Sequence, residues 1–233
     1  MTNMTKSSIY EMMKKYQKED IVCCSAHITM EENIKGEFKK QSRWIKGYAE
    51  FNLKTKLKER YVEEFNSIAI RCGEISGIFC VDVDNMDAWK VYLKERNQKQ
   101  PITITAKTAK GVHLYFKYDS KLANIVSNTN LYNCFDIRSN NSVLFAPGSS
   151  YIHKSRNSDG VIVEQQFEYT WKYGESVFDF EMAELPEWLY SDIVGWKKDV
   201  TKDVTKTVPK FSTNAPKKCG CKYPISSIKI GHL

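Results

Sequence analysis

The chain has 233 residues, room for one large domain or two small ones. At 42% hydrophobic and 27% charged residues, it is neither a wholly disordered nor a collagen-like chain. Lys plus Arg number 35 against 28 Asp plus Glu, and the formal charge of +7 permits a polyanionic partner without demanding one.

No apolar run approaches the roughly 20 residues that span a bilayer. The segment Met1–Asp20 lacks the apolar stretch of a secretory signal. The expectation is a soluble intracellular protein with no membrane partner. The seven cysteines are odd in number and scattered, which argues for a reducing compartment over a disulfide scaffold. Cys219-Gly-Cys221 and the Cys23-Cys24 pair with His27 come nearest to zinc ligation, and neither has the usual paired spacing.

In chain order, Ile9, Met12, Met13 and Tyr16 recur at near-helical spacing and predict a first helix. Residues 54–66, with Leu57, Tyr61, Val62 and Phe65 on one face, predict a second. Between them lies a polar, basic connection holding Lys35-Gly36 and Arg43-Trp44. Trp44, Tyr48, Phe51 and Tyr61 sit near basic residues and suit either base stacking or core packing.

From Ser67 the pattern turns to strands. Ile68–Arg71 and Gly77–Asp84 are short β-type runs. Asn85 offers an N-cap for a helix to about Arg96, and Pro101 follows as a stop. Ile102–Lys107 and Val112–Lys117 read as strands joined by Thr108-Ala109-Lys110-Gly111. Cys134–Arg138 and Ser142–Ala146 read as a hairpin around Ser139-Asn140-Asn141, ended by Pro147-Gly148. Val161–Val163 and Gln166–Trp171 read as a final strand pair, and a short helix is expected near Glu181–Tyr190 with Pro186 inside it.

Composition then shifts. Lys197–Lys222 is rich in lysine and repeats Asp-Val-Thr-Lys at 199–202 and 203–206, the mark of a flexible basic tail. The tail suits non-specific phosphate contacts or plain solubilisation. Helices followed by strands in mixed order make the fold class α+β.

Three segments carry candidate chemistry. Val81-Asp82-Val83-Asp84 ends an apolar strand, and alternation projects Asp82 and Asp84 to one side. Two carboxylates so close repel each other unless a cation neutralises them, and a pair of Mg²⁺ or Mn²⁺ ions is a common resolution in phosphoryl transfer. Asp84 also suits a helix cap, and Asp82 a lysine pair. In Lys110-Gly111-Val112-His113, a glycine beside a lysine lets a phosphate approach the backbone, and His113 can donate to a phosphate oxygen. A surface histidine beside a tight turn fits the same pattern. In Phe135-Asp136-Ile137-Arg138, Asp136 and Arg138 share a face, as a third metal ligand and a phosphate clamp or as a local ion pair.

The order of these residues resembles a known family. Gly73-x-x-Ser76-Gly77, Asp82-x-Asp84, Thr108-Ala109-Lys110-Gly111-x-His113-x-Tyr115-Phe116, Asp136-Ile137-Arg138 and Ala146-Pro147-Gly148-Ser149 look like the bifunctional primase–polymerase domain. That domain belongs to the archaeo-eukaryotic primase superfamily, in the branch found in plasmids, phages and large DNA viruses. The resemblance covers about residues 66–172, and Tyr169-x-Trp171 suits its closing strand. Two departures stand out: Gly111 where many members have serine, and Gly148 where many have proline.

The resemblance implies an RRM-like palm sheet beside an N-terminal α/β module. The primase–polymerase domain would span 1–195: an accessory part at 1–66, a catalytic sheet at 67–172 and a closing helix at 173–195, with the tail at 196–233. Asp82, Asp84 and Asp136 would be the catalytic metal ligands for Mg²⁺ or Mn²⁺. His113 would bind nucleotide, with Lys110, Gly111 and Arg138 as helpers. The implied activity is template-dependent transfer from NTPs or dNTPs on single-stranded DNA. No G-x-x-x-x-G-K-[ST] loop appears, so the sequence holds no recognisable ATPase motor and suits a standalone enzyme, a subunit that recruits a separate replicative helicase, or an N-terminal fragment. The rival readings are a non-catalytic nucleotide- or DNA-binding replication module and a metal-dependent nuclease.

Overall fold

The computed structural model describes residues 6–58 and 65–204. The chain divides into two units, residues 1–196 and 197–233. The described residues of the second unit, 197–204, are helical. No helix among the described residues is long and apolar enough to cross a membrane.

The first unit holds a six-stranded and a four-stranded antiparallel sheet and a separate hairpin. The larger sheet contains β4 (Ile78–Val83), β5 (Ile104–Lys107), β6 (Val112–Lys117), β7 (Asn128–Leu131), β8 (Phe135–Arg138) and β12 (Thr170–Trp171), in the order β12-β5-β6-β4-β8-β7. The smaller holds β1 (Cys23–Glu32), β2 (Phe38–Trp44), β3 (Ser67–Arg71) and β9 (Val143–Phe145), in the order β2-β1-β3-β9. The hairpin pairs β10 (Ser150–Arg156) with β11 (Ile162–Glu168). Helices α1 (Lys6–Lys18), α2 (Met86–Glu95) and α3 (Glu187–Val204) complete the fold.

β4 is central and buried along its whole length. Its two faces enter different cores. Phe79, Val81 and Val83 pack with Leu114, Phe116, Phe135 and Ile137 under Trp89 and Tyr92 of α2 and Leu189 and Ile193 of α3. Ile78 and Cys80 face the other way, against Met13 and Tyr16 of α1 and Ile68 and Ile70 of β3. An antiparallel sheet covered on both faces explains why these strands read as nearly continuous apolar runs. Asn85 caps α2 as its spacing predicts, its Oδ1 accepting from Ala88 N–H at 3.1 Å.

Several expectations need correction. The basic connection at 23–44 is the β1–β2 hairpin, seven residue pairs in register from Ala26–Trp44 to Glu32–Phe38. β2 is an edge strand with five exposed residues in succession, so it lacks the apolar alternation that signals a strand. Residues 54–58 are turn and irregular chain rather than helix, and 59–64 lie outside the described residues. β8 and β9 form no hairpin: β8 pairs with β4, whereas β9 crosses to pair with β3. The final strand pair is likewise split. β11 pairs with β10, and β12 pairs with β5. Pro186 precedes α3, and its carbonyl accepts from Leu189 and Tyr190 N–H. Residues 197–204 of the expected tail are helical, and the rest of that tail lies outside the described residues.

The glycine-and-serine signals prove to be junctions between sheets. Ser149 Oγ accepts from Ile68 N–H at 2.8 Å and donates to Ile68 O at 3.0 Å. Tyr16 donates its hydroxyl to Pro147 O at 2.8 Å. Ser76 Oγ accepts from Val22 N–H at 3.0 Å. Cys23 and Cys24 are buried in β1, and burial pushes both thiols up, that of Cys24 to about 12.

Candidate active site

β4 runs from the core into a cleft. Ile78 and Cys80 are fully buried, Asp82 is 9% exposed, and Asp84 is open to solvent. The neighbouring strands set what faces them. Pairing places Asp82 directly opposite His113 of β6 on one side and Asp136 of β8 on the other. A row of three polar side chains thus crosses three hydrogen-bonded strands, fixed by register alone.

The distances are short. His113 Nε2 donates to Asp82 Oδ1 at 3.2 Å. Arg138 Nη2 bridges Asp136 Oδ2 at 2.7 Å and Asp82 Oδ2 at 3.4 Å. Asp136 Oδ1 also accepts from Asn130 N–H at 2.7 Å. Oxygens of Asp82, Asp84 and Asp136 lie within 4.8 Å of one another. His113 is only 4% exposed, so it is no ordinary surface histidine. Its Nδ1 is buried without a partner among the described residues.

The carboxylates differ electrostatically. Burial alone would raise the Asp82 pKa, but His113 and Arg138 outweigh it and hold that carboxyl below its usual value. Asp84 moves the opposite way. Burial, then repulsion from Asp82 and Asp136, raise it, and the opposing charges around it do not compensate. Excess negative charge therefore gathers on the solvent side of the cluster. Three carboxylates at this spacing offer hard oxygen donors, the ligand chemistry of Mg²⁺ or Mn²⁺.

The cluster opens into a cleft of about 530 Å³. Asp82, Asp84, Lys110, His113 and Arg138 form one wall. Phe38, Lys40, Ser42 and Trp44, alternate residues of β2, form the facing wall. Phe145, Tyr151 and Tyr169 join the two. Lys110 is exposed at the tip of the β5–β6 turn, which Thr108 Oγ1 braces by accepting from Gly111 N–H at 3.0 Å.

Gly111 has a packing role that the sequence does not disclose. A Cβ there would lie 1.8 Å from Val83 O, so the close approach of β4 and β6 beside the acidic cluster needs a residue without a side chain.

The β2 wall was missed because its chemistry is spread at period two along a polar strand. The alternation Phe38-x-Lys40-x-Ser42-x-Trp44 is the signal that could have found it. Of the aromatics considered for stacking, Trp44 lies on Phe145, with centroids 5.2 Å apart and planes 18° apart, and Tyr48 packs against it. Phe51 is 8% exposed in the core, and Tyr61 is outside the described residues.

An antiparallel sheet presenting clustered carboxylates and cations to an open cleft defines a site suited to phosphate chemistry. A family model for the bifunctional DNA primase/polymerase N-terminal domain (Prim-Pol) matches residues 31–188, well over half the chain and all the side chains just described. The chain belongs to that family. Membership implies a nucleotidyltransferase-type enzyme with DNA and nucleotides as substrates. No curated protein matches the chain.

Proposed function

We propose that the chain is a DNA primase/polymerase that joins NTPs or dNTPs on a single-stranded DNA template. The observation that carries the reading is the convergence of Asp82, Asp84 and Asp136 within 4.8 Å, inside the Prim-Pol span. The six-stranded sheet serves as the palm, and the β1–β2 wall belongs to the accessory module.

Asp82, Asp84 and Asp136 would hold Mg²⁺ or Mn²⁺. The bound cation would lower the pKa of the attacking hydroxyl and offset charge on the triphosphate. The protein's own part is positioning. β4 and β8 fix two of the carboxylates by backbone pairing before any ligand arrives, so little reorganisation remains. Arg138 now neutralises charge on Asp82 and Asp136, and His113 Nε2 lies against Asp82. When substrate binds, they donate to phosphate oxygens instead, and the guanidinium charge of Arg138 is offset by the triphosphate. Lys110, exposed at the turn tip, adds a further phosphate contact.

Labelled nucleotide incorporation on single-stranded DNA, primed and unprimed, with Mg²⁺ or Mn²⁺, tests the reading. Extension should fall at least about a thousandfold in Asp82→Ala/Asp84→Ala, which removes groups that act together in the transition state. Full-rate synthesis by that variant would sink the site assignment. Nicked DNA without chain growth would replace the reading with a nuclease.

A further inference from the structure

The facing wall carries a cation whose surroundings call for a ligand. Lys40 Nζ donates to the Tyr169 hydroxyl at 3.1 Å. It also lies 5.0 Å from the Phe145 ring centroid, 5.7 Å from that of Tyr151 and 5.9 Å from that of Tyr169. Each ring face attracts the ammonium but offers no lone pair of the carbonyl or carboxylate kind. One of its three donors is therefore satisfied by Tyr169, and among the described residues no carboxylate pairs with it. The side chain is nonetheless open to the cleft.

A lysine on an edge strand would ordinarily sample many rotamers in water, at a cost of up to about 2 kcal/mol to fix one. Three rings and a hydroxyl already confine this one. Its charge acts on Asp82 and Asp84 across the cleft and is opposed by those of Lys110 and Arg138. Cations from two different sheets thus converge on one space beside the acidic cluster. Like charges held together in this way are stabilised by a compact polyanion between them.

We propose that Lys40 is a triphosphate contact for the incoming nucleotide, supplied by β2 from the wall facing the acidic cluster. The inference rests on the nucleotidyltransferase reading and adds a binding residue to it. Nucleotide is then gripped from both walls, by Lys40 on one and by Lys110, His113 and Arg138 on the other. Tyr169 is a positioning residue that holds the ammonium through its hydroxyl.

The test is the affinity of the full chain for a dNTP in Mg²⁺, read by calorimetry without DNA, for Lys40→Met, Lys40→Arg and Lys39→Met. Lys39 is the adjacent exposed residue of β2 and lies outside the cleft lining, so its variant loses the same charge elsewhere. Lys40→Met should weaken binding about tenfold or more, as expected for one charge-assisted hydrogen bond. Lys40→Arg should recover most of the loss, and Lys39→Met should bind like wild type. All three should keep the wild-type melting temperature.

Primed extension should show the Lys40→Met defect mainly in KM for nucleotide. Equal affinity in Lys40→Met and wild type overturns the proposal. So does an equal loss in Lys39→Met, a loss confined to single-stranded DNA, or a wild type that binds no nucleotide. A wild type that binds nucleotide through Lys40 yet never extends a strand upholds the contact and defeats the polymerase reading.

Discussion

Asp82 and Asp84 are two residues apart, yet their charges should act on stability in opposite directions. Asp82 has a folded pKa held below its ordinary value by His113 and Arg138. Its ionisation therefore stabilises the fold at pH above the ordinary value, and that contribution is lost as pH falls through the lower, folded one. Asp84 has a raised pKa, so its contribution is present at low pH and is lost as pH rises through the folded value. At pH 7 without divalent ions, Asp82→Asn should lower the melting temperature, by roughly 1–3 kcal/mol of stability. Asp84→Asn should raise it. Thermal melts in chelator read both signs, and a rise for both variants would contradict the proposed pairing of Asp82. Gly111 adds a steric prediction at the same scale. Gly111→Ala pushes against the Val83 carbonyl, should cost roughly 1–3 kcal/mol, and should reduce nucleotide incorporation by at least about tenfold. Wild-type stability and activity in that variant would mean that β4 and β6 can separate freely.

At the scale of elements, the strands with apolar alternation were legible and the polar ones were not. β4, β6 and the Asn85-capped α2 declare themselves through Ile78–Val83, Val112–Lys117 and the Asn85 side chain. β2 is silent because an edge strand facing an open cleft buries little, and β10 mixes Tyr151 with exposed polar residues. Pairing partners were hidden for a different reason. β8 and β9 are close enough in sequence to be a hairpin, but Leu144 and Ile137 belong to separate cores, so the chain crosses between sheets at Ser139–Ser142. Long-range docking of helices is equally invisible locally. Arg96 at the C-cap of α2 pairs with Asp192 of α3, Tyr92 donates to the same carboxylate at 2.8 Å, and the guanidinium stacks 3.8 Å from the Tyr92 centroid. Asp192→Ala removes the acceptor shared by both groups and should cost about 2 kcal/mol in urea unfolding, with the slope unchanged. A change below about 0.5 kcal/mol would mean that apolar packing alone docks the α3 turn at Asp192.

For the first unit as a whole, the site exists because two sheets face each other across open space. The six-stranded sheet supplies Asp82, Asp136, His113 and Arg138, and the four-stranded sheet supplies Lys40. Ligand binding should accordingly stabilise the whole folded unit. Adding Mg²⁺ or Mn²⁺ at about a hundred times its dissociation constant should contribute about 2.7 kcal/mol and raise the melting temperature. The rise should vanish in Asp82→Ala/Asp84→Ala, and a wild type unmoved by either ion would speak against a cation at the cluster. The sequence by itself pointed to the acidic, histidine and arginine residues that line the cleft, because they recur at period two against apolar neighbours, and the order of its motifs pointed to the family. Tertiary structure alone decided which strands pair, why Gly111 must lack a side chain, and that Lys40 reaches the same cleft. Those depend on register, on backbone approach and on rings from distant segments, none of which leaves a local periodicity to read.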